Sequence, residues 1–222
     1  PLQLIKPILN KKGFLFSFCI YSTRLLPSLR NNRNLSCHQN DKTSIMRKLT
    51  LLILSVLLIT TAHSQKDKVY SSLEDALQKP AEVYILSLAD KKLSSIPADV
   101  WKLPNLVALD LSYNKISTIP ESITQLKMLS ELNLSGNKLS SLPAAVTKMT
   151  ALTELDLSDN SLSALPSGFS NLSGLKILYL TNNKFKAIPE AIFKLSSLTE
   201  LYIYGNMLAS VPESIGQLTN LT

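Results

Sequence analysis

The chain has 222 residues and a formal net charge of +7, but residues 1–64 carry nine Lys and Arg against the single acid Asp41, whereas residues 65–222 carry fourteen Lys against fifteen Asp and Glu. The basic excess that would point to a phosphate backbone therefore lies wholly in the leader, and the remainder has no electrostatic case for a nucleic-acid partner. Cys19, Cys37, His38 and His63 lie in the leader too, so residues 65–222 can form no disulfide, thiolate nucleophile, imidazole base or conventional zinc site, and we expect no cofactor and no metal there.

In chain order, residues 1–45 come first and contain no methionine; the chain opens on Pro1 and its first methionine is Met46. Translation is expected to begin at Met46, which makes residues 1–45 an upstream extension of the reading frame; a genuine long leader with an apolar element at 13–20 is the alternative. Residues 46–64 have the anatomy of a secretory signal: basic Arg47 and Lys48, an uncharged apolar run from Leu49 to Thr61, and small residues at Ala62 and Ser64. That run of 13 residues is shorter than the ~20 needed to span ~30 Å of hydrocarbon. Cleavage after Ser64 is expected, with an uncleaved anchor as the alternative, and no membrane span is expected in the mature chain.

Residues 65–82 read as an N-terminal helical cap. Ser71 and Glu74 have capping-box spacing, Leu73, Ala76 and Leu77 share one face of a two-turn helix, and Pro80 ends it.

From residue 83 to residue 222 the chain repeats. Val83, Leu106, Leu129, Leu152, Leu175, Leu198 and Leu221 are spaced by 23 residues without a slip. The copies share the frame L-x-x-L-x-L-x-x-N-x-L-x-x-[IL]-P, as in LSELNLSGNKLSSLP from Leu129, and then place apolar residues three and six positions beyond the proline. The L-x-L alternation is a short strand with its leucines turned inward. Proline fixes φ and lacks an N–H, so Pro97, Pro120, Pro143, Pro166, Pro189 and Pro212 each end strand pairing and begin a return segment that the sequence marks as a turn or single helical turn. A lone copy buries too little to offset the ordering of 23 residues, so the copies must stack.

These residues resemble the leucine-rich repeat family in its 23-residue form, over six complete copies and the start of a seventh, where the array is expected to be broken off. The resemblance implies an α/β solenoid, a right-handed superhelix with a parallel concave sheet and one strand per repeat. It also implies that the outward strand positions form the binding surface. Asn114, Asn137, Asn160, Asn183 and Asn206 at the ninth position are read as a structural ladder that satisfies backbone groups of neighbouring turns, with Lys91 in its place in the first repeat.

The positions that periodicity leaves free show an acidic zone, Asp110, Glu131, Glu154, Asp156 and Asp159, followed by an apolar and aromatic zone, Ile177, Tyr179, Tyr202 and Tyr204, with Glu200 among them. Small Ser and Thr at the seventh position are expected to leave this surface accessible. Lys92, Lys115, Lys138 and Lys184 beside the asparagines read as a solvated edge. We expect a non-catalytic recognition scaffold that binds a protein or glycan partner carrying basic groups; its oligomeric state is not legible in the sequence. A sensor array belonging to a longer protein is the alternative. Catalysis by Asp110 with Asp156 is disfavoured, because such a pair needs an enclosed cleft that raises one pKa. The 23-residue form resembles that of cytoplasmic Ras-associated members of the family, whereas a signal with a cysteine-free array is more like its bacterial secreted members, so a secreted, periplasmic or cell-surface location is expected.

Overall fold

A repeat without a slip allows strands to pair with no stagger, and the backbone does this. The computed structural model describes residues 66–222. The readings of residues 1–45, of the signal at 46–64 and of cleavage after Ser64 lie outside the described residues, as does Gln65 at the start of the cap.

Seven strands, β1 (Val69–Tyr70), β2 (Ile85–Ser87), β3 (Ala108–Asp110), β4 (Glu131–Asn133), β5 (Glu154–Asp156), β6 (Ile177–Tyr179) and β7 (Glu200–Tyr202), form one parallel sheet in chain order. From β2 to β6 every strand residue pairs with its counterpart one repeat later. The middle leucines Leu86, Leu109, Leu132, Leu155 and Leu178 are at most 1% exposed, stacked along one side of the sheet. The flanking residues necessarily project from the other side.

The return segments explain why the apolar residues after each proline recur every three positions. Each proline carbonyl accepts the N–H three residues on, as in Pro120 O from Ile123 N at 3.1 Å, and Ile123 O then accepts from Leu126 N at 3.1 Å. This is 3-10 geometry with three residues per turn, so positions three apart eclipse and both enter the core. Val100 with Leu103, Ile123 with Leu126, Phe169 with Leu172 and Ile192 with Leu195 are buried in this way.

The asparagine ladder is hydrogen-bonded throughout. Asn160 Oδ1 accepts from Leu139 N at 2.9 Å in the preceding repeat, and its Nδ2 donates back to Leu134 O at 3.0 Å. The same Nδ2 also lies within reach of Leu157 O and Ser158 O in its own turn. Asn114, Asn137, Asn183 and Asn206 repeat the arrangement. Lys91 needs no asparagine side chain, because the ladder reaches backward: its N–H donates to Asn114 Oδ1 at 3.0 Å.

The cap differs from expectation in two respects. It contributes a strand, β1, which pairs with Ile85 and Leu86 and buries Tyr70 against the end of the core. Holding Tyr70 in the sheet leaves Ser71 as a link, so helix α1 (Leu73–Gln78) begins one residue later than the capping box suggests. Ser72, not Ser71, caps it, its Oγ accepting from Asp75 N at 3.3 Å. The packing face is as expected: Ala76 is fully buried, and Leu73 and Leu77 pack against the core. Among the described residues no helix is long and apolar enough to cross a membrane.

Candidate functional site on the outer face of the sheet

The third and fifth positions of each repeat flank the buried central leucine, so they project outward as two columns running across the strands. The third reads Ile85, Ala108, Glu131, Glu154, Ile177, Glu200, and the fifth Ser87, Asp110, Asn133, Asp156, Tyr179, Tyr202. Val69 extends the third column onto β1. Between β1 and β5 the two columns bound a trough of about 420 Å³, whose lining carries the four carboxylates Asp110, Glu131, Glu154 and Asp156 and no basic residue.

The fifth-position carboxylates are held in place by their own turns. Asp110 Oδ1 accepts from Ser112 N at 2.9 Å and Asp156 Oδ1 from Ser158 N at 2.9 Å. Ser87 Oγ donates to the other oxygen of Asp110 at 2.9 Å. Glu131 and Glu154 are direct partners across β4 and β5, a like-charge pairing that destabilises a sheet. Partial burial pushes the Glu154 carboxyl above the usual range, and the charges of Glu131, Asp156 and Glu200 add to the effect.

Next along the fifth column, Tyr179 and Tyr202 stack with ring centroids 4.7 Å apart and planes 8° apart. Tyr202 Oη donates to Glu200 Oε2 at 2.7 Å, and that bond to a carboxylate raises the Tyr202 pKa. Burial first, then the charges of Glu154, Glu200 and Asp156, raises that of Tyr179.

Of the ten sequence-predicted site residues, the sheet thus gathers eight on its outer face: Asp110, Glu131, Glu154, Asp156, Ile177, Tyr179, Glu200 and Tyr202. Ile177 is half-buried between its neighbours in the third column. Asp159 and Tyr204 lie elsewhere, in the turns beyond the strands. The eighth position, which looked free in sequence, is fixed by the backbone. Asp90, Tyr113, Gly136, Asp159, Asn182 and Gly205 all have φ between 52° and 68°. Gly, Asn and Asp tolerate this left-handed conformation best, so the aspartate at 159 is accounted for by the turn; its Oδ1 accepts from Asn182 Nδ2 at 2.8 Å. At the seventh position Ser112, Ser135 and Thr181 are buried, Ala89 and Ser158 are half-buried, and Tyr204 is 70% exposed. Sequence reasoning missed Val69, Ile85 and Ala108 as a group, because the apolar end of the trough becomes contiguous only once β1 joins the sheet.

A family model described as leucine rich repeat matches residues 81–139, 137–185, 150–208 and 173–222. An internalin of Listeria monocytogenes is 26% identical over 63% of this chain and 38% of its own, with a TM-score of 0.50. Internalin C2 of the same organism is 28% identical over 61% of this chain and 57% of its own, with a TM-score of 0.55. A leucine-rich repeat protein of Leptospira interrogans is 28% identical over 70% of this chain and 57% of its own, with a TM-score of 0.36. The chain thus spans less than two thirds of the length of each of these proteins. No curated protein sequence matches it.

Proposed function

The chain belongs to the leucine-rich repeat family, and we propose that within it this protein is a non-catalytic scaffold that recognises a protein partner through the outer face of its sheet. One observation carries the proposal: residues 65–222 are nearly neutral, yet four of their carboxylates line one trough that contains no Lys. Such segregation leaves Glu131 and Glu154 side by side at a cost to stability, which a basic partner surface would offset. A catalytic acid pair is a poorer reading of the same residues. Asp110 and Asp156 stand two strands apart on an open face, and each commits one oxygen to its own turn.

The test is to immobilise the full chain, capture its partner, and compare variants in that binding assay. Glu131→Lys and Asp156→Lys are expected to weaken binding at least tenfold, since each reverses a charge on the face. Lys115→Ala and Lys138→Ala, on the turn edge, should leave it unchanged. Binding should also weaken as salt rises, because the Debye length falls below ~8 Å above ~0.15 M ionic strength. The opposite pattern, sensitive lysines with indifferent carboxylates, would place the partner on the turns. The signal-like segment at 46–64 further supports a secreted, periplasmic or cell-surface location; N-terminal sequencing of exported protein should read from Gln65, and a product retaining residues before Met46 would overturn that assignment.

A further inference from the structure

Asp156, Tyr179 and Tyr202 occupy the same column on three adjacent strands. The two rings are nearly parallel with centroids 4.7 Å apart, close to the ~4.8 Å between neighbouring strands. They therefore stand up from the sheet and stack along the direction of strand pairing. Tyr202 covers one face of Tyr179. The other face is turned toward β5, whose residue in this column is the shorter, acidic Asp156. Glu200 accepts the Tyr202 hydroxyl and so restrains the far ring.

This arrangement favours a planar cation. A guanidinium can lie flat on the ring of Tyr179 while its N–H groups reach down to Asp156, combining the stack with charge-assisted hydrogen bonds. An ammonium group meets the charge but not the plane. Sugars offer neither the cation nor the positive counterpart to the four carboxylates of the trough. At the other end, Val69, Ile85 and Ala108 form an apolar shelf, with Val69 56% exposed. From Ile85 on β2 to the gap between β5 and β6 is three and a half strand spacings, ~17 Å, which about five residues of extended chain cover at ~3.3 Å each.

We infer that this face takes an extended segment of a protein partner that runs across the strands. It carries an arginine seated on Tyr179 above Asp156 and, about five residues away, an aliphatic side chain resting on Val69, Ile85 and Ala108. The inference rests on the proposed use of the sheet face and adds the chemistry of what the face holds. The partial burial of Glu154 amid three other carboxylates supports it, because a cation beside them relieves their mutual repulsion.

The test is selection of a random displayed peptide library on the immobilised full chain, followed by affinity measurements on the enriched peptides. The expected result is enrichment of an arginine with an aliphatic residue about five positions away. Tyr179→Ala, Asp156→Asn and replacement of the peptide arginine by lysine should each weaken binding on the order of tenfold, whereas Tyr179→Phe should retain it. Enriched peptides that lack a basic residue, or that bind the Tyr179→Ala and Asp156→Asn variants normally, would overturn the inference. A trough-filling Ala108→Trp variant separates the two levels: peptides without arginine that it still blocks preserve the wider use of the sheet face, and peptides that bind it unhindered count against both. A selection that enriches nothing also overturns the inference, leaving the scaffold proposal to the partner-capture assay.

Discussion

Two repeat positions, the eighth and the ninth, shape this fold without adding apolar side chains to its core. The ladder asparagines use the amide fully: the oxygen takes a backbone N–H of the previous repeat and the nitrogen serves carbonyls of both repeats. Asn160→Ala would leave Leu139 N–H without its partner, while Leu134 O keeps Asn137 Nδ2 at 3.0 Å, at an expected cost of about 1–3 kcal/mol, measurable by urea denaturation. The ladder was legible in the sequence because the same residue recurs at every ninth position. The turn that precedes it was less so, because Asp, Gly and Asn alternate there with only their tolerance of a positive φ in common, and Tyr113 breaks even that pattern. Tyr113 is the costly member, a bulky residue at φ 55°. Its ring lies against Gly136, where an added Cβ would come within 2.7 Å of Tyr113 Cδ1. Gly136→Ala should therefore destabilise by about 1–2 kcal/mol, and less so in a Tyr113→Asn background. Equal losses in the two backgrounds would show that the ring contact contributes nothing.

At the scale of the element, each strand from β2 to β7 is only three residues long, so its two outward side chains determine what the sheet face is. On β5 these are Glu154 and Asp156, with Glu131 opposite Glu154. The Glu154 carboxyl is pushed upward by partial burial and by its acidic neighbours, so the folded protein holds its proton more tightly than the unfolded chain does. Ionised Glu154 thus costs stability above its raised pKa. That cost is relieved as pH falls through the window between the raised value and the ordinary one, and it is gone below the ordinary value. Glu154→Gln should stabilise the protein at pH 7 by a few tenths to about 1 kcal/mol, and thermal melts across the acid range should show the gain vanishing toward pH 4. A gain that persists unchanged in acid would mean that packing, not charge, is responsible. The sequence made the Glu131–Glu154 pairing visible through the exact period. The Tyr179–Tyr202 stack and the apolar shelf depend on ring orientation and on an added strand, neither of which a period encodes.

Across the whole array, stability resides in contacts between successive repeats, so the same substitution should matter differently along the chain. Leu155 is fully buried in β5, paired on one side with Leu132 and on the other with Leu178. Leu201 occupies the equivalent place in β7, but among the described residues it pairs only with Leu178 and is partly buried. Removing Leu155 opens a cavity that both neighbours must tolerate, and Leu155→Ala is expected to cost about 3–5 kcal/mol. In a protein ending at Thr222, Leu201→Ala would lose contacts on one side only and should cost less than half as much. The kinetic and spatial consequences differ as well. A lesion in β5 interrupts the coupling between β1–β4 and β6–β7, so hydrogen exchange should quicken on both sides of it, whereas in a protein ending at Thr222 a lesion in β7 should quicken exchange around β7 alone. Because the proposed arginine seat straddles β5 and β6, Leu155→Ala should also weaken partner binding without touching any contact residue. Leu201→Ala acts through β7, whose Tyr202 supports but does not form that seat, and should affect binding less. Equal costs for the two substitutions in urea titrations would show that the array unfolds as a single unit insensitive to position, and would remove the nearest-neighbour account of its stability.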